Sequence, residues 1–230
     1  LKKDLFGNNW NKPEEIFKLL NSTVNYVILR NFENFPDELI SSKHADVDIL
    51  TDEKFQIPFF LNMKKINAEN VGYSPLIEIN GKKVKFDLRY VEDGYYDQIW
   101  AKNILKHRIK TSKGFFVPSN EDYFYSLLYH MLIHKNKIQK DYCDRLFEII
   151  PDSIKEKYVR QDFDNLEKLM QILNNFMQKK GYKKTDSIIY SIKYNEILRL
   201  INVGIYTIKH EGWNFLFRAI KFKISKIISK

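Results

Sequence analysis

The spacing of apolar residues changes at Tyr90, and this change limits the fold more than any other feature of the chain. Before it, segments such as ADVDILT (45–51) and LIEINGKKVKFDLRY (76–90) are rich in alternating apolar and polar residues, as expected of strands. After it, YYDQIWAKNILKHR (95–108) and the segment that begins SNEDYFYSLLYH (119–130) repeat at the helical period. The sequence therefore predicts an α+β fold, with a small mixed sheet in residues 1–95 and an all-helical region over residues 96–212.

Short local signals mark where several elements begin and end. Pro13, followed by two acids, predicts the start of a first helix. Asn80-Gly81 between two strand-like runs predicts a tight hairpin. Ser119 predicts the cap of a later helix, and Pro151 and Gly181 are expected to interrupt the helices that follow.

The composition excludes several classes of protein. Hydrophobic residues make up 44% of the 230 residues, which excludes a disordered chain and suffices for one large or two small domains. A single cysteine, Cys143, excludes an internal disulfide, and its helical setting predicts a packing residue. No apolar run approaches the roughly 18 residues needed to cross a bilayer. We therefore expect a cytoplasmic protein.

Positive charge is concentrated near the C-terminus. The formal net charge is +9, and residues 213–230 (WNFLFRAIKFKISKIISK) contain five basic residues and no acid. Their apolar residues follow helical spacing, which predicts a basic amphipathic helix. Such a helix either lies on an anionic membrane surface or packs on the body with its basic face in solvent. Nucleic acid is a less favoured partner, because the aromatic residues belong to the apolar face.

Two aspartates alternate with apolar residues in the segment 45–51. Asp46 and Asp48 fall on one face of a strand, where their charges repel unless a cation lies between them. Asp87 lies within a later predicted strand, on the same face as Lys85 and Arg89. Three carboxylates on neighbouring strands can hold Mg²⁺ or Mn²⁺ for displacement at phosphorus. The alternative is a set of surface acids, with Asp87 paired to Lys85 or Arg89.

This pattern resembles the nucleotidyltransferase superfamily, whose signature is an Asp-x-Asp strand and a third acid on a later strand. The resemblance covers roughly residues 20–92. It implies that Asp46 and Asp48 bind the metal and that Asp87 is the third metal-binding carboxylate, which helps to activate the attacking hydroxyl. It also implies a nucleoside triphosphate or nucleotide-activated donor and a small acceptor. The basic tail suggests work near a membrane, for instance on a saccharide acceptor in surface-polysaccharide synthesis.

The chain departs from this family at the phosphate-binding position. Members normally have a Gly-Ser pair after the preceding strand, whereas this chain reads LRNFENF (29–35). Arg30 and Asn31 occupy the position, and a guanidinium can bind phosphate through two hydrogen bonds. Arg30, Asn31 and Arg89 are therefore predicted to contact the nucleotide.

Two histidines, His130 and His134, stand four residues apart in YHMLIHK (129–135). Zinc-protease chemistry is excluded, because Met131 replaces the glutamate that it requires. Either both histidines are partly buried against the sheet, or they share a polar helical stripe with Lys137 and Asp141 that faces the cleft. In the second case His134 and Lys135 would contact the nucleotide, with Lys135 meeting a phosphate.

The sequence is also compatible with two other functions. Many glycosyltransferases use Asp-x-Asp to hold manganese and a sugar nucleotide, although only about 45 residues precede the motif here. A noncatalytic module that retains the acids without the phosphate grip is the other alternative.

Overall fold

The computed structural model describes residues 9–33, 35–36, 46–53, 56–57, 61 and 76–185. The strands of this part are β1 (Asn9–Trp10), β2 (Tyr26–Ile28), β3 (Asp46–Thr51), β4 (Leu76–Ile79), β5 (Lys82–Tyr90), β6 (Ile109–Lys110) and β7 (Phe116–Val117). The α-helices are α1 (Pro13–Thr23), α2 (Gln98–Lys106), α3 (Asn120–Tyr129), α4 (Lys140–Glu148), α5 (Asp152–Lys155) and α6 (Leu166–Lys180). A π-helix (His130–Lys135) continues α3, and a 3₁₀-helix (Arg160–Asp164) precedes α6.

The main sheet of the described residues has five strands in the order β1-β4-β5-β3-β2. The β1–β4 and β3–β5 pairs are parallel, and the β2–β3 and β4–β5 pairs are antiparallel. The prediction of an α+β fold with a small mixed sheet is therefore confirmed. In the parallel pair, Asp48 lies directly opposite Asp87, and Asp46 lies opposite Lys85.

The predicted hairpin is confirmed between β4 and β5. Asn80 has a φ of 49° and Gly81 a φ of 76°, as required by the two-residue turn that Asn-Gly favours. The turn sets Ile79 opposite Lys82, and this register continues to Leu76 opposite Lys85. It thereby fixes which side chains of β5 point to each face of the sheet.

The two faces of the sheet pack against different parts of the chain. On one face, α1 buries Ile16, Phe17 and Leu20 in a core shared with Ile49 and Phe86. On the other face, strand residues join a second core with α2, α3, α4 and α6. Members of this second core include Val27, Leu29, Leu50, Trp100, Phe124, Tyr129, Leu146 and Phe176. The face of β3 and β5 that carries the acids is therefore the face toward the helices.

The prediction of an all-helical region after residue 96 is wrong at residues 109–117. There β6 and β7 form an antiparallel pair. Phe115, just before β7, packs 5.6 Å from Phe17 and 5.0 Å from Phe35, measured between ring centroids. These apolar residues complete the core on the α1 face, so tertiary packing rather than helical periodicity determines their structure.

Three predicted helix ends agree with the structure, whereas the helix predicted over residues 95–108 spans Gln98–Lys106. Pro13 begins α1, and the Ser119 hydroxyl caps α3 by accepting a hydrogen bond from the Asp122 amide at 3.2 Å. Gly181, with a φ of 70°, ends α6. Cys143 is fully buried, and burial raises the pKa of its thiol, which confirms its prediction as a packing residue.

The predicted basic amphipathic helix, with its two alternatives of membrane binding and packing on the body, falls in residues 213–230, which lie outside the described residues. The helices that the structure does describe are all too short or too polar to span a bilayer.

The hairpin makes a stability test possible. Gly81→Val forces a β-branched residue into a positive φ, although no atom lies within 4 Å of an added Cβ. We expect the free energy of unfolding to fall by about 1–2 kcal/mol, the usual cost of a left-handed L-residue. Urea denaturation measures the loss. Lys83→Val is the matched control, because it places the same side chain at an exposed strand position. Equal losses in both variants would contradict the turn's role.

Candidate functional site

Two acids from neighbouring strands meet on the helix-facing side of the sheet. Asp48 and Asp87 are paired across the parallel β3–β5 ladder. Asp48 shares its face with Leu50, which packs in the core formed with the helices, while Val47 and Ile49 face α1. The sequence predicted acids on one face of each strand, and the strand pairing brings these two side by side.

Asp48 is held by a buried ion pair. The Nη2 atom of Arg30 lies 2.6 Å from Oδ1 of Asp48, and both side chains are less than a tenth exposed. Burial raises the pKa of Asp48, Arg30 lowers it, and Asp87 raises it again, with a net upward shift. Burial acts to lower the pKa of Arg30, but the charge of Asp48 raises it overall. Arg30 therefore stays charged.

The other two acids are more exposed. Asp87 lies 3.5 Å from Nη2 of Arg89, and Asp46, half exposed, lies 4.0 Å from Nζ of Lys85. Across residues 9–33, 35–36, 46–53, 56–57, 61 and 76–185, no group of three or more acidic, histidine or cysteine side chains is arranged to hold a metal ion. The structure thus joins Asp48 with Asp87 and leaves Asp46 toward the solvent edge.

Tyr95, in the segment between β5 and α2, lies next to the acids. The guanidinium carbon of Arg89 is 4.3 Å from the centroid of its ring, and the His134 ring centroid is 3.7 Å away. The Tyr95 hydroxyl and Nδ1 of His130 form a hydrogen bond of 2.7 Å. His134 Nε2 and the Tyr95 carbonyl form another, of 3.0 Å. Tyr95 therefore connects the site to the π-helix.

Both histidines are buried beside positive charge. Burial, with a further contribution from Arg30, lowers the pKa of His130 to about 2 and that of His134 to about 3. Both rings are thus neutral near pH 7. Because a carbonyl oxygen can only accept, His134 donates its hydrogen bond to the Tyr95 carbonyl.

The prediction of one helical stripe through His130, His134, Lys137 and Asp141 is wrong. The π-helix ends at Lys135, because Asn136 adopts a positive φ of 49°. Lys137 and Asp141 are exposed beyond that break. The alternative, two buried histidines on the sheet side, matches the structure. Contact of His134 with a nucleotide stays a prediction.

Lys135 and Asn31 are exposed on either side of these groups. The positive charge of Lys135 contributes to the low pKa of His130, so Lys135 lies near the buried histidines. Asn31 follows Arg30 with a φ of 59°, and its side-chain oxygen accepts a hydrogen bond of 3.3 Å from Arg145. Their contacts with phosphate stay predictions.

Sequence patterns gave little indication of several residues that shape the site. The helical period predicts that Tyr95 belongs to a helix, yet it precedes α2 and contacts Arg89 of β5 and His134 of the π-helix. Glu33 accepts a hydrogen bond from the Tyr123 hydroxyl and lies 3.6 Å from Arg145. The only usable signal was the Tyr95-Tyr96 pair between a strand and a helix, and that signal is weak.

Comparisons of the chain with models of protein families, with curated proteins and with solved structures find no match. The support for a function therefore comes from the residues and geometry of the site.

Asp93 provides a pH test of the segment that positions Tyr95. Its carboxylate accepts hydrogen bonds from the Tyr95 amide at 2.8 Å and the Tyr90 amide at 3.3 Å. Burial raises the pKa of Asp93 from 3.8 to about 6. The folded protein therefore binds the extra proton, and this residue's contribution to stability is lost as the pH rises from 3.8 to about 6.

We expect Asp93→Asn to gain stability relative to wild type as the pH rises through this window, whatever the constant cost of a lost hydrogen bond. Urea denaturation at a series of pH values measures the difference. Glu92→Gln, at an exposed neighbouring acid, is the control. A difference between Asp93→Asn and wild type that does not change with pH would contradict the raised pKa.

Proposed function

We propose that the chain is a metal-dependent transferase of the nucleotidyltransferase type. It moves a nucleotidyl or related phosphoryl group from a nucleoside triphosphate or nucleotide-activated donor to a small acceptor such as a saccharide. The observation that carries this proposal is the parallel register that sets Asp48 opposite Asp87 on the face toward the helices. Paired carboxylates on neighbouring strands are what the resemblance to nucleotidyltransferases leads us to expect of a metal-binding site.

The donor atoms of the site suit Mg²⁺ or Mn²⁺. Magnesium binds through one or two carboxylates together with substrate phosphates and water, so a pair of acids is sufficient. Arg30 contacts Oδ1 of Asp48, and the neighbouring charge of Asp87 still acts unfavourably on that carboxylate. Asp46 and Asp48 would hold the ion, and Asp87 is the third predicted ligand, beside the attacking hydroxyl. When bound, the ion neutralises developing charge on the phosphoryl group.

The protein's own groups have distinct tasks in this proposal. Asp87 accepts the proton of the attacking hydroxyl on its carboxylate. Lys85 and Arg89 follow the same face of β5 on either side of Asp87 and bind the donor's phosphates. The aromatic side chains of Tyr95 and Tyr96 cover this face from the helical side and keep water from the reacting groups.

Metal binding is the first test. Binding to the native state alone raises stability, by about 2.7 kcal/mol at a concentration 100-fold above the dissociation constant. We expect Mg²⁺ or Mn²⁺ to raise the melting temperature of wild type and to have little effect on the double variant Asp46→Asn, Asp48→Asn. Asp144→Asn, which removes an acid paired with Arg160 in the helical part, is the control. Equal shifts in the double variant and wild type would place the metal elsewhere.

Asp87 provides the test of the reaction. Asp87→Asn keeps the shape of the side chain but removes the proton acceptor, so donor binding should survive while transfer slows by roughly 10²–10⁴-fold. Donor binding is measured by calorimetry, and transfer by release of pyrophosphate or the nucleotide product, with Mg²⁺ or Mn²⁺. The panel comprises the common nucleoside triphosphates and the sugar and alditol nucleotides.

Two outcomes would contradict the assignment. Loss of donor binding in Asp87→Asn, with an unchanged rate per bound donor, would give Asp87 a binding role instead. A wild-type protein that binds none of these donors in the presence of metal would favour the noncatalytic alternative.

A further inference from the structure

Arg30 belongs to a chain of hydrogen bonds that continues beyond Asp48. Its Nη2 atom donates to Asp48 at 2.6 Å. Its guanidinium carbon lies 6.0 Å from the centroid of the Tyr95 ring, so the two side chains interact directly. The Tyr95 hydroxyl in turn forms a hydrogen bond of 2.7 Å with Nδ1 of His130. We call these residues, Asp48, Arg30, Tyr95 and His130, the hydrogen-bond chain.

The burial of Arg30 distinguishes it from a residue that binds substrate at the surface. The residue is 6% exposed, and its contact with Asp48 is shorter than the Asp87–Arg89 and Asp46–Lys85 contacts. Arg30 comes two residues after the end of β2, where the Leu29 amide donates to the Asp48 carbonyl at 2.8 Å. Backbone and side chain therefore both join this segment to Asp48.

The hydrogen-bond chain ends on a helix of unusual geometry. His130 is the first residue of the π-helix, and π-helical turns are found mostly as short insertions at functional sites. The neutral ring of His130 is hydrogen-bonded to the Tyr95 hydroxyl, and the His134 ring lies against the same tyrosine. The helical part of the protein thus reaches the acids of the sheet through Tyr95.

We propose that Arg30 is a positioning residue, which orients the Asp48 carboxylate, and that Tyr95 and His130 hold Arg30 in turn. Because Arg30 binds Oδ1 of Asp48, the carboxylate cannot rotate freely. The direction in which its other oxygen can bind a ligand is therefore limited. The part of this inference that concerns metal rests on the proposed function. Partners that orient a metal ligand in this way typically change metal affinity by roughly 10–100-fold. Arg30 thus acts through Asp48 rather than by gripping a phosphate.

The Arg30 guanidinium itself gives a test that needs no metal. Tyr95→Phe removes the hydroxyl and keeps the ring that contacts Arg89 and His134. We expect nitrogen-15 NMR to show slow rotation of the Arg30 guanidinium in wild type and faster rotation in Tyr95→Phe. Tyr26→Phe is the matched control, since it removes another buried hydroxyl, which donates to Asn21 at 2.8 Å.

Two substitutions of His130 provide a second test of the hydrogen-bond chain. His130→Asn retains an acceptor near the position of Nδ1, whereas His130→Leu removes it. We expect Arg30 to rotate slowly in His130→Asn and faster in His130→Leu. A purely structural role would lower the stability of both variants and leave Arg30 rotation unchanged. This pair also decides the question if Tyr95→Phe does not fold.

Manganese affinity tests the positioning of Asp48. We expect the dissociation constant of Mn²⁺, measured by paramagnetic relaxation of water, to rise roughly 10–100-fold in Tyr95→Phe and His130→Leu. It should stay near the wild-type value in Tyr26→Phe and His130→Asn. Unchanged Arg30 rotation and unchanged Mn²⁺ affinity in Tyr95→Phe would overturn the inference.

The two proposals fail in different ways. A wild-type protein that does not bind Mn²⁺ would overturn the metal site, while the NMR result would still decide whether Tyr95 and His130 hold Arg30. Faster Arg30 rotation with unchanged Mn²⁺ affinity would overturn the positioning of Asp48 alone.

Discussion

The ion pair between Arg30 and Asp48 connects the parts of this fold. Removing a carboxylate and a guanidinium from water costs several kcal/mol each, and only a close partner with further hydrogen bonds offsets that cost. Arg30 comes from the end of β2, Asp48 from β3, and the further partner Tyr95 from the segment before α2. The pair is therefore satisfied only when the sheet and the helical part have assembled around it.

The β4–β5 hairpin determines which side chains lie beside the Arg30–Asp48 ion pair. Because β4 and β5 are antiparallel, β5 returns in the direction of β3 and pairs with it in parallel. Side chains of a strand alternate between faces, so a slip of one residue would turn Asp87 toward α1. The buried residues Val84 and Phe86 oppose such a slip, since it would expose them to the site. Hydrophobic packing on the α1 face of β5 thus keeps Asp87 on the opposite face, toward the helices.

Local signals in the sequence were sufficient for some of these features. Asn80-Gly81 and the Ser119 cap depend on the conformation of a few adjacent residues, and strand periodicity is enough to place Asp46 with Asp48. The Asp48–Asp87 pairing depends on which strands become neighbours, and periodicity carries no such information. The β6–β7 pair was missed because strands of two residues are too short to show a period.

The contacts of Tyr95 and His130 were beyond sequence reasoning for a similar physical reason. The two residues are 35 positions apart, and they meet where α3 continues as a π-helix. Single-sequence patterns do not distinguish a π-helical turn from an α-helical one when both keep apolar residues toward the core. The residues next to Arg30 in the sequence do not indicate whether its side chain is buried or exposed. Its pairing with Asp48 therefore becomes visible only in the folded structure.

The basic side chains paired with the three acids differ in how deeply they are buried. This difference determines which of them could leave its acid during the proposed reaction. The side chain of Arg30 is 7% exposed, that of Arg89 is 20% exposed, and that of Lys85 is 39% exposed. Exposed ion pairs contribute little stability and exchange partners readily. In the proposed chemistry, a metal ion that contacts Asp87 and Asp46 would release Arg89 and Lys85, which could then bind the phosphates of a donor. Arg30, buried and paired with Asp48, would keep its partner during this exchange.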